Sequence, residues 1–289
     1  MSEAHAKEVA DGQRFEFGKN WSAFLTTLNE ERIQEAVDSL KMMLALESLE
    51  GQTFLDIGSG SGLFSLAARK LGARVHSLDY DPNSVGCTSE LRKRYFPDDP
   101  DWIVEEGSVL DRKYIEALGT FDVVYSWGVL HHTGEMWKAL EHASVPVRAD
   151  GGRLFIAIYN DQGFKSKIWT KLKQIYCSGW AGKLLVTAAG SAYFFLICLK
   201  EDLVRFKNPF ARYREYKKNR GMSIWYDWID WFGGYPFEVA TADQLFEFYQ
   251  AKGFQLTKLV TVGGSLANNE LVFCRTENEV VQGADCADA

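Results

Sequence analysis

The sequence has no excess of positive charge: 32 Lys and Arg stand against 39 Asp and Glu, for a formal net charge of -7. A protein that grips nucleic acid through its phosphates presents a basic surface. Here the basic stretches are short, Arg92-Lys93-Arg94 and Lys217-Lys218-Asn219-Arg220, so a nucleic-acid substrate is disfavoured. Cysteine is scarce and patternless. Cys87, Cys177, Cys198, Cys274 and Cys286 are odd in number and form no C-x-x-C pair, which argues against a disulfide framework and a zinc site. No metal-ligand spacing links the histidines either, and no metal is expected. There is no internal repeat. Met1 to Gly12 is polar and acidic, unlike a signal or transit peptide, so a reducing cytoplasm is the expected location. Leu184 to Leu199, LLVTAAGSAYFFLICL, carries no charge but falls short of the roughly 18 to 20 apolar residues that cross a bilayer. Three readings stay open for it: a buried or dimer-forming helix, a lid that touches membrane or a lipophilic substrate, or, against its length, a transmembrane span.

What is present is a regular alternation. With 46% hydrophobic residues the chain can bury a sizeable core. The polar start leads into an aromatic segment ending in Phe17-Gly18-Lys19-Asn20-Trp21, and Trp21 is a candidate to close over a bound ligand. Asn29 caps a helix in which Ile33, Val37, Leu40 and Leu44 recur at helical spacing. Strands are expected at Thr53 to Ile57, Ala73 to Leu78, Trp102 to Glu105, Phe121 to Ser126 and Arg153 to Tyr159. The helices between them are Leu63 to Leu71, Asn83 to Phe96 and about Glu135 to Val145. Strands that alternate with helices predict a parallel sheet covered on both faces. Residues 162–237 break the pattern; they are aromatic, mostly helical and too long for a simple crossover. A capping box at Thr241 and Gln244 then opens a helix that Gly253 stops, and Phe254 to Val262 and Leu271 to Arg275 read as an antiparallel hairpin. The expected organisation is a helical lead-in and lid (1–50), a core (51–161), a helical aromatic insertion (162–237), a closing helix and hairpin (238–276) and a frayed acidic tail (277–289).

The chemistry concentrates where strands end. Phe54-Leu55-Asp56-Ile57-Gly58-Ser59-Gly60-Ser61-Gly62 lies between a strand and a helix, where glycines let a ligand approach the backbone. A dinucleotide site favours G-x-G-x-x-G and a neutral residue in place of Asp56, because pyrophosphate is anionic. D-x-G-x-G-x-G suits a ligand that carries an ammonium group. Asp79, followed by Tyr80, ends the second strand about 20 residues past the first glycine, where an acidic group binds ribose hydroxyls. Asp81 competes for that role, although Pro82 suggests that it starts a helix. Past the fourth strand come Ser126-Trp127-Gly128-Val129-Leu130-His131-His132-Thr133. Either histidine could serve as a general base; His5, His76 and His142 look structural or exposed.

FLDIGSGSG, LDYD and FDVVYSWGVLHH in this order resemble the successive nucleoside-binding motifs of class I S-adenosylmethionine-dependent methyltransferases, over roughly residues 50 to 160. The resemblance implies a Rossmann-like α/β fold: a mostly parallel seven-stranded sheet with an antiparallel last strand, and the helical insertion after strand five. It implies S-adenosyl-L-methionine as cofactor, with Gly58, Ser59, Gly60 and Gly62 around the methionine part and Asp79 and Tyr80 at the ribose. Ser108 and Val109 would flank the adenine; many relatives carry aspartate where Ser108 stands. Ser126 and Trp127 fall at the same edge. In similar enzymes a histidine at position 131 or 132 can take the acceptor's proton, and the insertion caps the acceptor, which makes Trp228 and Tyr235 candidate substrate contacts and Asp227, Asp230 and Glu238 candidate orienting groups. The expected activity is methyl transfer to oxygen or nitrogen of a small or lipophilic molecule. The alternatives are a carbon acceptor, a non-catalytic nucleoside-binding scaffold, and, against the glycine spacing, a dinucleotide oxidoreductase. A homodimer is a further expectation.

Overall fold

The computed structural model describes residues 2–18, 21, 25–205, 224–263 and 267–276. The acidic tail and the second basic stretch lie outside them, as do the side chains of Asp227 and Asp230.

Seven strands form one sheet: β1 (Thr53–Ile57), β2 (Arg74–Asp79), β3 (Trp102–Glu106), β4 (Val123–Trp127), β5 (Arg153–Tyr159), β6 (Phe254–Val260) and β7 (Asn268–Arg275). Their order is β3-β2-β1-β4-β5-β7-β6. The first five are parallel, and β7 runs antiparallel to both β5 and β6. β1 and β5 keep the boundaries that the apolar runs predict. The others shift by a residue or two, except β7, which begins at Asn268 rather than Leu271 because Asn268 and Asn269 pair with Tyr159 and Ile158.

The central strands are apolar on both faces because helices cover both. On one face α2 (Glu30–Leu44), α3 (Leu63–Lys70) and α4 (Pro82–Tyr95) bury Ile33, Leu40, Leu66 and Leu91 against Phe54, Val75 and Phe155. On the other, α5 (Arg112–Ala117), α6 (Met136–Ser144) and α10 (Ala242–Gln250) bury Ile115, Leu140 and Tyr249 against Leu55, Val124 and Phe273. The Asn29 side chain accepts from Arg32 N at 3.0 Å and so satisfies one orphan donor of α2. Asn29→Ala should therefore cost about 1 kcal/mol, which lowers the thermal midpoint by roughly 2 °C; calorimetry checks this.

Two helices add to or correct the sequence reading. Within the expected helical lead-in, the polar start folds as α1 (Ser2–Ala10), a helix whose bounds the sequence reading leaves open, with His5 buried. The apolar stretch lies within α8 (Trp180–Val204), a 25-residue helix long and apolar enough to cross a membrane by length and composition. It is not a buried helix: 11% of its apolar window is covered. With α7 (Phe164–Cys177) and α9 (Ile224–Gly233) it forms a third core, in which Tyr176, Val186 and Phe232 pack with Trp169, Phe194 and Trp228.

Candidate functional site

The chain crosses from one side of the sheet to the other between β1 and β4, and ligands in open α/β folds bind outside the strands' carboxyl ends at such a switch point. A cavity of about 730 Å³ lies there, within the usual range of roughly 300–1,000 Å³ for ligand pockets.

One end is built from β1, β2 and the turns that follow them. Gly58 N and Ser59 N both donate to Leu78 O, at 2.8 and 3.0 Å, and so bend the chain back across β2. Gly58 has φ +82°, and a Cβ there would lie 2.4 Å from Val129, so both conformation and space require glycine. Gly60 N donates to Asp79 Oδ2 at 2.9 Å, and Asp81 N donates to Asp79 Oδ1 at 2.9 Å. Asp81 caps α4 through Asn83 N and also accepts from Gly18 N at 2.8 Å, tying the lead-in across the site. Asp56 is held from behind. Trp102 Nε1 can only donate, to Ser77 Oγ at 2.9 Å; Ser77 and Ser65 share a 2.7 Å contact; and Ser65 donates to Asp56 Oδ2 at 2.5 Å. A donor-only indole and an acceptor carboxylate thus fix the direction of the whole chain. Burial raises the Asp56 carboxyl to about 7, with Ser65 opposing and Asp79 adding. Burial also raises Asp79 to about 6 against its backbone hydrogen bonds, with Asp81's charge adding.

At the other end the chemistry reverses. His132 Nδ1 lies 2.5 Å from Pro236 O, so that nitrogen carries the proton and Nε2 is left as the acceptor. Burial pushes the His132 pKa down to about 3, beyond what the Pro236 bond restores, and the charges of Lys173 and Arg14 lower it further. The ring is neutral near pH 7. Around it lie Phe17 at 4.9 Å and Tyr159 at 5.8 Å between centroids. Arg14 Nη1 donates to His132 O at 2.9 Å. Lys173, from α7, is buried with its ammonium 4.6 Å from the Trp231 ring and 4.7 Å from Phe237, and it donates to Trp231 O.

Of the sequence-predicted residues, Asp56, Gly58, Ser59, Gly60, Asp79, Tyr80, Ser108, Val109, Trp127, Trp21 and His132 line the cavity. Five do not. Gly62 φ +81° lets α3 approach Thr88, where a Cβ would lie at 2.8 Å. Ser126 is buried and donates to Ile57 O at 2.9 Å, joining β4 to β1. His131 is buried behind His132 and accepts from Tyr159 N at 3.3 Å. Trp228 packs on Phe194 in the third core, and Tyr235 OH accepts from Gln174 Nε2 at 3.1 Å. Glu238 accepts from Met136 N at 3.0 Å and caps α6 rather than facing the cavity. The wall also includes residues that sequence reasoning passed over: His5, Glu8, Arg14, Tyr159, Lys173 and Trp231. Only Tyr159, at the carboxyl end of a parallel strand, carried a positional signal.

The fit to a sulfonium nucleoside can be tested on these groups. Among the described residues no ion pair engages Asp56 or Asp79, whose pKa values are raised, and an ammonium or sulfonium brought there would offset their burial. Ribose hydroxyls can share Asp79, and the 730 Å³ of space admits a nucleoside and an acceptor together. The sign of the linkage follows. The ionised carboxylates favour the ligand, and protonation through pH 7 and 6 removes them. Affinity for S-adenosylmethionine should therefore fall as pH drops from 8 to 5.5, by up to about tenfold per unit for each carboxylate. Titration calorimetry in two buffers near pH 6.5 should show net proton release on binding; proton uptake would contradict the assignment.

Comparison with known proteins agrees. Residues 55–154 match a family described as "Methyltransferase domain". The Thermotoga maritima ribosomal protein L11 methyltransferase is 42% identical over 79 residues, 27% of each chain. A ubiquinone biosynthesis O-methyltransferase of Methylocella silvestris is 29% identical over 194 residues, 59% of this chain and 71% of that protein. The chain thus spans about a quarter of the first of these relatives. Among solved structures, a chain of the complex containing the Haloferax volcanii Trm112 methyltransferase activator aligns with a TM-score of 0.51 at 13% identity, covering 90% of this chain and 96% of that one. Magnesium protoporphyrin IX methyltransferase of Synechocystis, solved with SAH, aligns at 0.49 with 16% identity, covering 85% and 82%.

Proposed function

We propose that the chain is a class I S-adenosylmethionine-dependent methyltransferase, residues 55–154 matching a methyltransferase-domain family, and that it methylates an oxygen or nitrogen of a small lipophilic acceptor held between His132, Tyr159 and Trp231. The observation that carries this reading is the polarity of the cavity: carboxylates at one end, a neutral imidazole and aromatic rings at the other. When bound, S-adenosylmethionine supplies an electrophilic methyl group on a cationic sulfur. The chain's own work is alignment, exclusion of water and handling of one proton. Asp79 and the Gly58–Gly60 turn fix one partner. Tyr159, Trp231 and Phe17 form the apolar wall against the other. His132 Nε2 accepts a hydrogen bond from the acceptor's O–H or N–H, while Pro236 holds the tautomer through Nδ1.

Lys173, buried beside the acceptor end, disfavours a protonated amine there, while the nearby Arg14 is paired with Glu8 at 2.7 Å. A hydroxyl, and a phenol above all, meets no such penalty. The O-methyltransferase likeness supports the same preference. The test is release of S-adenosylhomocysteine with a panel of phenols, alcohols and amines. A scaffold would bind the nucleoside and release none, and an amine-only profile would overturn the oxygen preference.

A further inference from the structure

The outer surface of α7 and α8 does not belong to the cavity, yet among the described residues these two helices carry most of the exposed large hydrophobic side chains. On α8, Trp180 is 82% exposed, and Leu184, Leu185, Tyr193, Phe195 and Leu196 follow it at helical spacing on the outside. On α7, Phe164 is 77% exposed, with Ile168 and Ile175 further along. An apolar surface of this extent marks an interaction site.

The charge around it has one sign. From Phe164 to Lys200 the sequence holds six lysines and no acidic residue. Lys173 points inward; Lys165, Lys167, Lys171, Lys183 and Lys200 are exposed beside the apolar side chains. Residues 164–220 carry thirteen Lys and Arg against three acidic residues, in a chain whose net charge is -7. Basic groups bordering an exposed aromatic and aliphatic face are the composition of helices that lie in a membrane interface. The opposing charge of the remaining chain would orient the protein with this face down.

The other occupants fit less well. A second copy applied to the same face would bring lysines against lysines. A transmembrane course would need lipid all around α8, whereas its inner side is fastened. Val186 is buried, Phe194 stacks on Trp169 and Phe232 at 5.9 and 5.4 Å, and Gly190 meets the Phe232 ring so closely that a Cβ would lie 2.5 Å away.

We propose that the outer face of the α7–α8 pair docks, without spanning, on the anionic surface of a lipid bilayer. α7 then separates two compartments: Lys173 on its inner side lines the cavity, and Phe164, Ile168 and the exposed lysines on its outer side meet lipid. An acceptor dissolved in the bilayer would have one helix to pass. That corollary rests on the methyltransferase reading, while the docking itself does not.

Co-sedimentation of the full chain with vesicles separates the two. Binding to phosphatidylcholine vesicles containing phosphatidylglycerol is expected, with little binding to phosphatidylcholine alone and a loss at high salt. Lys165→Glu, Lys167→Glu and Lys171→Glu together should lower the partition coefficient about 100-fold or more, from three lysines at a few-fold each. Leu185→Glu with Leu196→Glu should do the same, and unchanged thermal unfolding confirms that both variants remain folded. No binding to anionic vesicles, equal binding to neutral ones, or retention through alkaline carbonate washing would overturn the proposal. So would a dimer in light scattering that the leucine variant dissociates.

Discussion

Replacement of His132 by alanine is expected to lower kcat about 100-fold with its acceptor while leaving the Kd for S-adenosylmethionine unchanged within twofold. A positioned base contributes roughly 10²- to 10⁴-fold, and the depressed basicity of this ring places it at the lower end. A ring held neutral with its pKa near 3 is always ready to accept a hydrogen bond but is a poor resting place for a proton. On the proposed reading it would orient the acceptor and accept the proton only as the methyl is transferred. Two consequences distinguish this from an ordinary histidine base. The kcat profile should show no limb near pH 6.5, because His132 stays neutral from well below pH 5 upward; protonation with loss of the acceptor nitrogen belongs to the region near pH 3. The loss should also shrink for an acceptor that arrives already deprotonated. His131→Ala is expected to act differently, by lowering thermal stability, since its ring is buried among His132 and Tyr159 at 4.5 and 4.3 Å. Near-normal turnover in His132→Ala would move the proton to another group, with Tyr159 first.

Replacement of Asp79 by alanine should weaken S-adenosylmethionine binding about 10- to 150-fold, the equivalent of roughly 1.5 to 3 kcal/mol for hydrogen bonds to a charged group. Part of the loss is indirect. The Asp79 carboxylate also receives Gly60 N–H and Asp81 N–H, so its removal loosens the turn that would face the ligand. Asp79→Asn keeps the size and one acceptor oxygen and should fall between. In both variants the Asp56 carboxyl loses a negative neighbour, which shifts its titration downward and makes the remaining affinity less sensitive to pH. Titration calorimetry at pH 7.5 is the measurement, and unchanged affinity in Asp79→Ala would rule out the ribose assignment.

The core was legible because its signals are local. Five apolar runs with intervening helical periodicity dictate a parallel sheet, and the edge that holds the glycine turn and Asp79 follows from it. The histidine pair was legible as a place but not as a role. Leu130–His132 is a 3-10 turn, in which neighbouring side chains diverge by about 120°, so one ring reaches the cavity and the other the interior. The aromatic run misled in a similar way. Its density announces burial, and Trp228 is indeed packed, but only tertiary contacts decide that Trp231, three residues on, faces the cavity. Lys173 could not be picked from its neighbours, because Lys165, Lys167 and Lys171 share its helix and composition; its burial comes from α9 closing over it. The helical lead-in was expected, but the bounds of its first helix were not legible because its nine residues are mostly polar and its contacts with Tyr80 and Asp81 are supplied by the site itself.

The position of β7 has a consequence for synthesis on the ribosome. Seven consecutive β5 residues, Arg153 to Tyr159, take their partners from Cys274 back to Asn268, so the whole insertion must emerge before β5 acquires its second neighbour. Loop closure itself grows only slowly in cost with length. The exposure lasts longer than the cost suggests: at roughly 5–20 residues per second, the hundred-odd residues between the strands take on the order of 5 to 20 seconds to translate. Throughout that interval Leu-Phe-Ile-Ala-Ile-Tyr, residues 154–159, presents an open, uncharged strand edge of the kind that recruits other chains. A nascent chain paused within the insertion is then the form of this protein most in need of a chaperone, and a truncation before Asn268 should accumulate as aggregate rather than as a smaller folded domain.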